Sequence, residues 1–259
     1  MLIPLAVALL VQGAAPEVSA WQVREAPTRC TIAQQTPGRI TAISTVPGSD
    51  SYRLVVADAS IADVGALASA AIRFAPSGKR LQGLASAGTV AGGQRLVRMD
   101  GLPPELLDRL AESASLALTV RSHPDVAVPV SGAAAGVAAL RTCEAARLIA
   151  WGADARQFEA GGRRPVAIRN RDEWVSSSDF MAVAEQSRGD VNAVFRVTVA
   201  SSGTIETCRA VTADTLPAVE RVVCRVVVNK RLFTPAADSA GTAVAGAATF
   251  PILLQRRPR

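Results

Sequence analysis

The sequence predicts an α+β chain: an N-terminal, mostly antiparallel β domain with two helices, then a small C-terminal domain in the order α-β-β-α-β. Three observations predict it. Residues 21–121 fall into short apolar stretches separated by Gly, Pro, Ser and Asp at short intervals, the pattern of an antiparallel sheet or sandwich. Residues 189–211 alternate apolar and polar positions (Val191, Ala193, Phe195, Val197, Val199), break at Ser201, Ser202 and Gly203, and resume with Ile205, Cys208 and Val211, which is a hairpin. Residues 216–230 place Val219, Val222, Val223, Val226 and Val227 on one helical face, with charges at Glu220, Arg221 and Arg225. That helix is rich in β-branched residues, so packing rather than propensity must hold it.

In chain order, strands are expected at residues 21–30, 39–44, 52–57 (YRLVVA), 71–74, 88–90, 94–99 and 116–121. A helix over 103–114 opens with two prolines and an acid and turns Leu106, Leu107 and Leu110 inward. A second helix over 133–149 follows Ser131 as N-cap and carries Val137, Leu140, Ala145 and Leu148 inward. A short helix over 179–186 has Ser177 or Ser178 as N-cap, with Met181 and Ala184 facing in. After the hairpin and the valine-rich helix, residues 231–240 form an irregular return that buries Phe233, and 242–254 a final broken strand.

With 259 residues and 49% hydrophobic composition, the chain has room for two ordinary cores. The expected division is a signal peptide at 1–20, an exported β-rich domain at 21–150, a linker at 151–173 and the small domain at 174–259. The signal is read from the apolar run at 2–11, too short to span a bilayer, and from small-residue cleavage sites ending at Ala15 and Ala20. No Lys or Arg precedes that run. The expected location is the periplasm. A net charge of +6 would suit an anionic partner, but the basic residues are scattered rather than gathered on one face, so no nucleic-acid role is expected. The local concentration is Arg156, Arg163, Arg164, Arg169 and Arg171 in the linker, where an anionic envelope polymer could be met.

Four cysteines agree with export, where an even count forms disulfide bonds. Four allow three connectivities, and spacing favours Cys30 with Cys143 and Cys208 with Cys224, one staple per domain. No C-x-x-C is present and the single histidine is distant in sequence, so neither metal nor cofactor is expected.

The C-terminal residues also carry a resemblance. Trp174 ahead of Asp179 and Phe180, a helix leading into Gly189, Gly203 at the hairpin turn, Cys208 on the second strand and Cys224 in the next helix precede an F-x-P-A-x-D-x-x-G run at Phe233, Pro235, Ala236, Asp238 and Gly241. Together they resemble the TonB C-terminal domain family in its two-cysteine, alphaproteobacterial version, over residues 174–254 only. The resemblance implies a small antiparallel sheet backed by helices, and protein binding in the cell envelope by adding an extended segment to the sheet edge. It places partner contacts on the last strand at Ala247, Thr249, Phe250 and Ile252. Pro251 lies in that strand and lacks a backbone donor. The chain shows no transmembrane anchor and no long Pro-rich spacer, so an energy transducer is not expected.

The function expected is therefore an exported, non-enzymatic protein-binding or envelope-associated protein. Two alternatives stand beside it. One is a periplasmic hydrolase in the first domain using His123, which Pro124 and Asp125 follow, although no G-x-S-x-G supplies a nucleophile elbow. The other is a structural or inhibitory protein whose C-terminal module only docks the first domain.

Overall fold

A computed structural model describes residues 20–61, 67–90, 92–187 and 189–255. The expected signal at 1–20 lies outside them except for Ala20. The chain is α+β.

Nine antiparallel strands form one sheet in the first half. They are β1 (Gln22–Ala26), β2 (Arg29–Thr36), β3 (Arg39–Thr45), β4 (Tyr52–Asp58), β5 (Ala68–Ala75), β6 (Arg80–Thr89), β7 (Arg95–Leu102), β8 (Ser115–Val120) and β9 (Val126–Pro129). Their order across the sheet is β1-β2-β3-β4-β7-β6-β5-β8-β9. Strict alternation decides which side faces in: Ile32, Ile43, Leu54, Val56, Ile72, Phe74, Val97 and Met99 are buried together. Helices α1 (Glu105–Ala111) and α2 (Ala133–Ala150) close this core with Leu106, Leu107, Leu110, Val137 and Leu140.

Three elements exceed the sequence reading. The expected strand at 21–30 is broken by a turn at 27–28 into β1 and a β2 that runs on to Thr36. β6 starts eight residues before the expected 88–90, because Gly83, Ala85, Ala87 and Gly88 are too small to signal a strand. β9 lies between Pro124 and Pro129, which an edge strand tolerates. The cap of α2 also differs. Gly132, at φ +75°, takes the N-cap place expected of Ser131, whose carbonyl instead accepts from Trp21 Nε1 at 3.2 Å and Gln34 Nε2 at 3.3 Å. Because Trp21 precedes β1 and Ser131 follows β9, the sheet curls until its two ends meet at one carbonyl. Trp21 packs directly on Gly136, where a Cβ would come within 2.7 Å of it.

The second core is built from α3 (Ser177–Gln186), β11 (Val191–Val199), β12 (Ile205–Ala210), α4 (Pro217–Val227) and β16 (Gly246–Leu254). Two-residue strands β10 (Val166–Ala167), β13 (Phe233–Thr234), β14 (Ala236–Ala237) and β15 (Ala243–Val244) tie down the connections. The main sheet runs β12-β11-β16, all antiparallel. Trp174, Phe195, Phe233 and Phe250 form its centre. Phe250 stacks on Phe195 at 5.5 Å, and Trp174 meets Phe233 and Phe250 edge-on at 5.2 and 5.5 Å.

The α3 cap is Ser176, one residue earlier than expected, in a reciprocal capping box with Asp179. Packed on the second core, the helix turns Val183 inward and leaves Met181 63% exposed, against the inward place expected for Met181. Disulfides join Cys30 to Cys143, tying β2 to α2, and Cys208 to Cys224, tying β12 to α4. No helix among the described residues is long and apolar enough to cross a membrane.

Residues 151–173, expected as a linker carrying the local concentration of arginine, pack against both cores. Leu148 and Ala153 bury Ala247 of β16, with Trp151 and Phe158 alongside. The guanidinium of Arg196 on β11 lies 5.6 Å over the Trp151 ring. Asp154 N–H donates to the Ala245 carbonyl at 2.9 Å, and Pro165 sits against Gly246 so closely that a Cβ there would clash at 2.4 Å.

Candidate functional site

A cleft of about 590 Å³ opens where the two cores and the 151–173 segment meet. Arg141 and Glu144 of α2, Gln157, Arg163 and Arg164 of the connecting segment, and Ala247 of β16 line it.

Glu144 is the unusual residue on this surface. It follows Val137 and Leu140 and precedes Leu148 at helical spacing, so α2 places a carboxylate in its own apolar stripe, 1% exposed. Two partners satisfy it. Tyr52 OH, from β4, donates to one oxygen at 3.0 Å, and Arg164 Nη1 donates to the other at 3.2 Å. Burial pushes the Glu144 carboxyl above its ordinary value, while the positive charge and hydrogen bond of Arg164 and the Tyr52 hydroxyl pull it partly back. Burial, reinforced by the Glu144 charge, raises Tyr52 to about 12. Glu144 is in effect a pin, because it ties β4 and α2 of the first core to the segment that leads to the second.

The pin has a pH signature with a definite sign. A carboxyl raised in the folded state holds its proton more tightly there than in the unfolded chain, so acidification from neutrality towards the unfolded value of roughly 4.3 favours the folded state at this position. Glu144→Gln has no proton to take up. Thermal melting from pH 7 to pH 4 should therefore show the wild type gaining on the variant as pH falls. A constant gap, or a gap moving the other way, would remove burial as the dominant influence on Glu144.

Gln157, 2% exposed, donates Nε2 to the carbonyls of Asp154 at 2.9 Å and Ala245 at 3.3 Å, while its Oε1 has no partner among the described residues. The arginine cluster is largely spent on internal pairing. Arg156 pairs with Asp154 at 2.7 Å and Asp238 at 3.5 Å, Arg164 with Glu144, and Arg171 with Asp50. Arg163 and Arg169 remain exposed. An extended anionic polymer would thus meet two free guanidinium groups rather than five.

The four expected contact residues on β16 are all buried: Ala247, Thr249 and Phe250 at 1% and Ile252 at 4%. Phe250, Ile252 and Ala248 face the second core, and Ala247 faces α2. Their side chains are therefore not a contact surface, and what β16 can offer is its backbone. Its pairing with β11 sets Thr249 opposite Arg196 and Ala247 opposite Thr198. Thr249 N–H donates to the Gly48 carbonyl at 3.0 Å, so it points away from β11, and alternation turns Ala247, Pro251 and Leu253 outward as well. The Thr249 carbonyl accepts from Arg171 Nη1 at 2.6 Å, and its hydroxyl donates to the Pro47 carbonyl at 3.1 Å. Pro251 occupies an outward position, where its missing N–H costs the ladder nothing.

His123 lies in the turn after β8, next to Ser122 at φ +67°. The carboxylate that follows it in sequence, Asp125, pairs with Arg73 of β5 at 3.3 Å. No group of three or more potential metal-ligating side chains occurs among the described residues. No family model, curated protein or solved structure matches the chain.

Sequence reasoning passed over Glu144, Gln157 and Gly48. Glu144 had a visible signal, a lone carboxylate at an apolar helical position. Gly48 had none, because its closeness to β16 is set only by how the two cores meet.

Proposed function

We propose that the protein is a periplasmic, non-enzymatic binding protein whose C-terminal module, of TonB type, takes up an extended segment of an envelope protein as a fourth strand beside β16. The observation that carries the reading is the edge itself. β16 is a nine-residue strand that pairs with β11 on one side and with no other strand on its other side among the described residues. Unpaired backbone donors and acceptors along an edge recruit an extended chain, and affinity comes from the main chain rather than from the strand's own side chains. This suits a strand in which residues 246–250 and Ile252 are buried. The module order α3-β11-β12-α4-β16 and the two disulfides support the reading, the disulfides through the oxidising compartment they require.

The test places a photo-crosslinking side chain at Asn192, an exposed β11 residue paired with Leu253, in cells from which the periplasm is then released. The expected result is a crosslinked envelope protein that disappears in Leu253→Pro, which removes an outward backbone donor. Crosslinks unchanged by Leu253→Pro, or absent in both the wild type and Gly48→Val while each is folded and located in the periplasm, would rule out uptake at this edge.

A further inference from the structure

We propose that the loop of residues 46–51, between β3 and β4, is a built-in plug for the β16 edge, latched by Asp50 and Arg171, and that β16 accepts an added strand only when the latch opens. The proposal rests on the strand-uptake reading and adds the regulation of that edge.

An incoming strand must run about 4.8 Å from β16 and bond the outward groups of Thr249, in the strand's interior. Both groups are taken: the N–H by Gly48 at 3.0 Å and the carbonyl by Arg171 at 2.6 Å. The Thr249 hydroxyl adds a third bond, to the Pro47 carbonyl at 3.1 Å. Gly48 lies where a partner strand would lie. At φ +79° it approaches so closely that a Cβ would stand 2.9 Å from the Ala248 Cα and 3.0 Å from Leu148 Cδ2. Glycine alone fits both the backbone conformation and the space.

The plug is shaped independently of the edge it covers. Ser49 N–H donates to the Val46 carbonyl at 2.9 Å, and the Thr45 hydroxyl reaches the Ser51 carbonyl at 3.0 Å. Lifting the loop from β16 therefore breaks no pairing of β3 or β4. The latch is built to respond to its surroundings. Arg171 is held inside, its side chain 14% exposed, whereas Asp50 is 66% exposed and meets it from the solvent side. Salt, or a competing anion or cation, reaches this pair readily.

Amide hydrogen exchange and peptide selection test the proposal together, on the whole protein. Gly48→Val drives the loop off the edge sterically, and Asp50→Ala, at an exposed position, opens the latch without crowding a buried one. In Gly48→Val the Thr249 amide should exchange about tenfold faster, approaching Leu253, which is also turned outward, while the Phe250 amide, bonded to β11, is unchanged. Asp50→Ala should give about a threefold increase at Thr249. Displayed libraries of unstructured peptides, panned in parallel, should enrich clones on both variants over the wild type. Thr249 exchange unaltered in both variants overturns the plug. Equal enrichment on wild type and variants also overturns it but leaves strand uptake standing. Faster Thr249 exchange with no enrichment on any of the proteins overturns strand uptake itself, and the plug's role with it.

Discussion

Replacing Cys30 and Cys143 together by alanine is expected to lower the free energy of unfolding by about 5 kcal/mol, the largest single effect in the molecule. The bond closes a separation of 113 residues. In the chain-entropy account, cross-linking over about 100 residues removes close to 4.7 kcal/mol of freedom from the unfolded state. Its placement adds to this. Cys30 on β2 and Cys143 on α2 are 0% and 5% exposed, and the bond holds the helix that fills the curled sheet. Urea unfolding of the double variant against wild type measures the loss. Cys208 with Cys224, separated by 16 residues, should cost about 3 kcal/mol in the same experiment. A larger loss for the short loop than for the long one would reverse the ranking and remove loop entropy as the governing factor.

Phe250→Ala is expected to cost about 4 kcal/mol, as for a fully buried aromatic ring whose cavity cannot collapse. The ring is 1% exposed, stacked on Phe195 and met edge-on by Trp174. Because β16 is the strand proposed to receive a partner, the variant also separates two roles. A buried ring lowers stability in the absence of any partner. A contact residue would leave the isolated protein's unfolding curve within about 0.5 kcal/mol of wild type, which would contradict the position of Phe250.

Much of the architecture was legible because it is written in periodicity. The hairpin of β11 and β12 follows from Val191, Ala193, Phe195, Val197 and Val199 alternating up to Gly203, and α4 from its valine stripe. The cysteine pairs follow from Cys208 and Cys224 lying together in the hairpin–helix stretch while Cys30 and Cys143 bracket the first unit. What was not legible depends on surfaces that meet only after folding. Arg164 and Arg171 read as solvated charge in a linker, yet one neutralises a buried carboxylate and the other caps a strand carbonyl. Met181 read as inward because a short helix has several apolar residues that could face in; packing on the second core gives that place to Val183. The resemblance placed partner contacts of an added strand at Ala247, Thr249, Phe250 and Ile252, but one strand taken alone does not show what packs on its second face. Here α2 packs on Ala247 of that face, while Pro251 and Leu253 further along it stay exposed.

The bond from Thr249 to Pro47 spans 202 residues of chain. Contacts so distant in sequence form late in folding, because the intervening chain must first be brought together. On a chain synthesised N-terminus first, loop 46–51 is made well before the strand it covers, since Pro47 precedes Thr249 by 202 residues. Until the two cores meet, the edge of β16 has no loop bonded to Thr249. For a protein that takes up extended segments, that interval would be a moment when a partner can enter without any latch having to open.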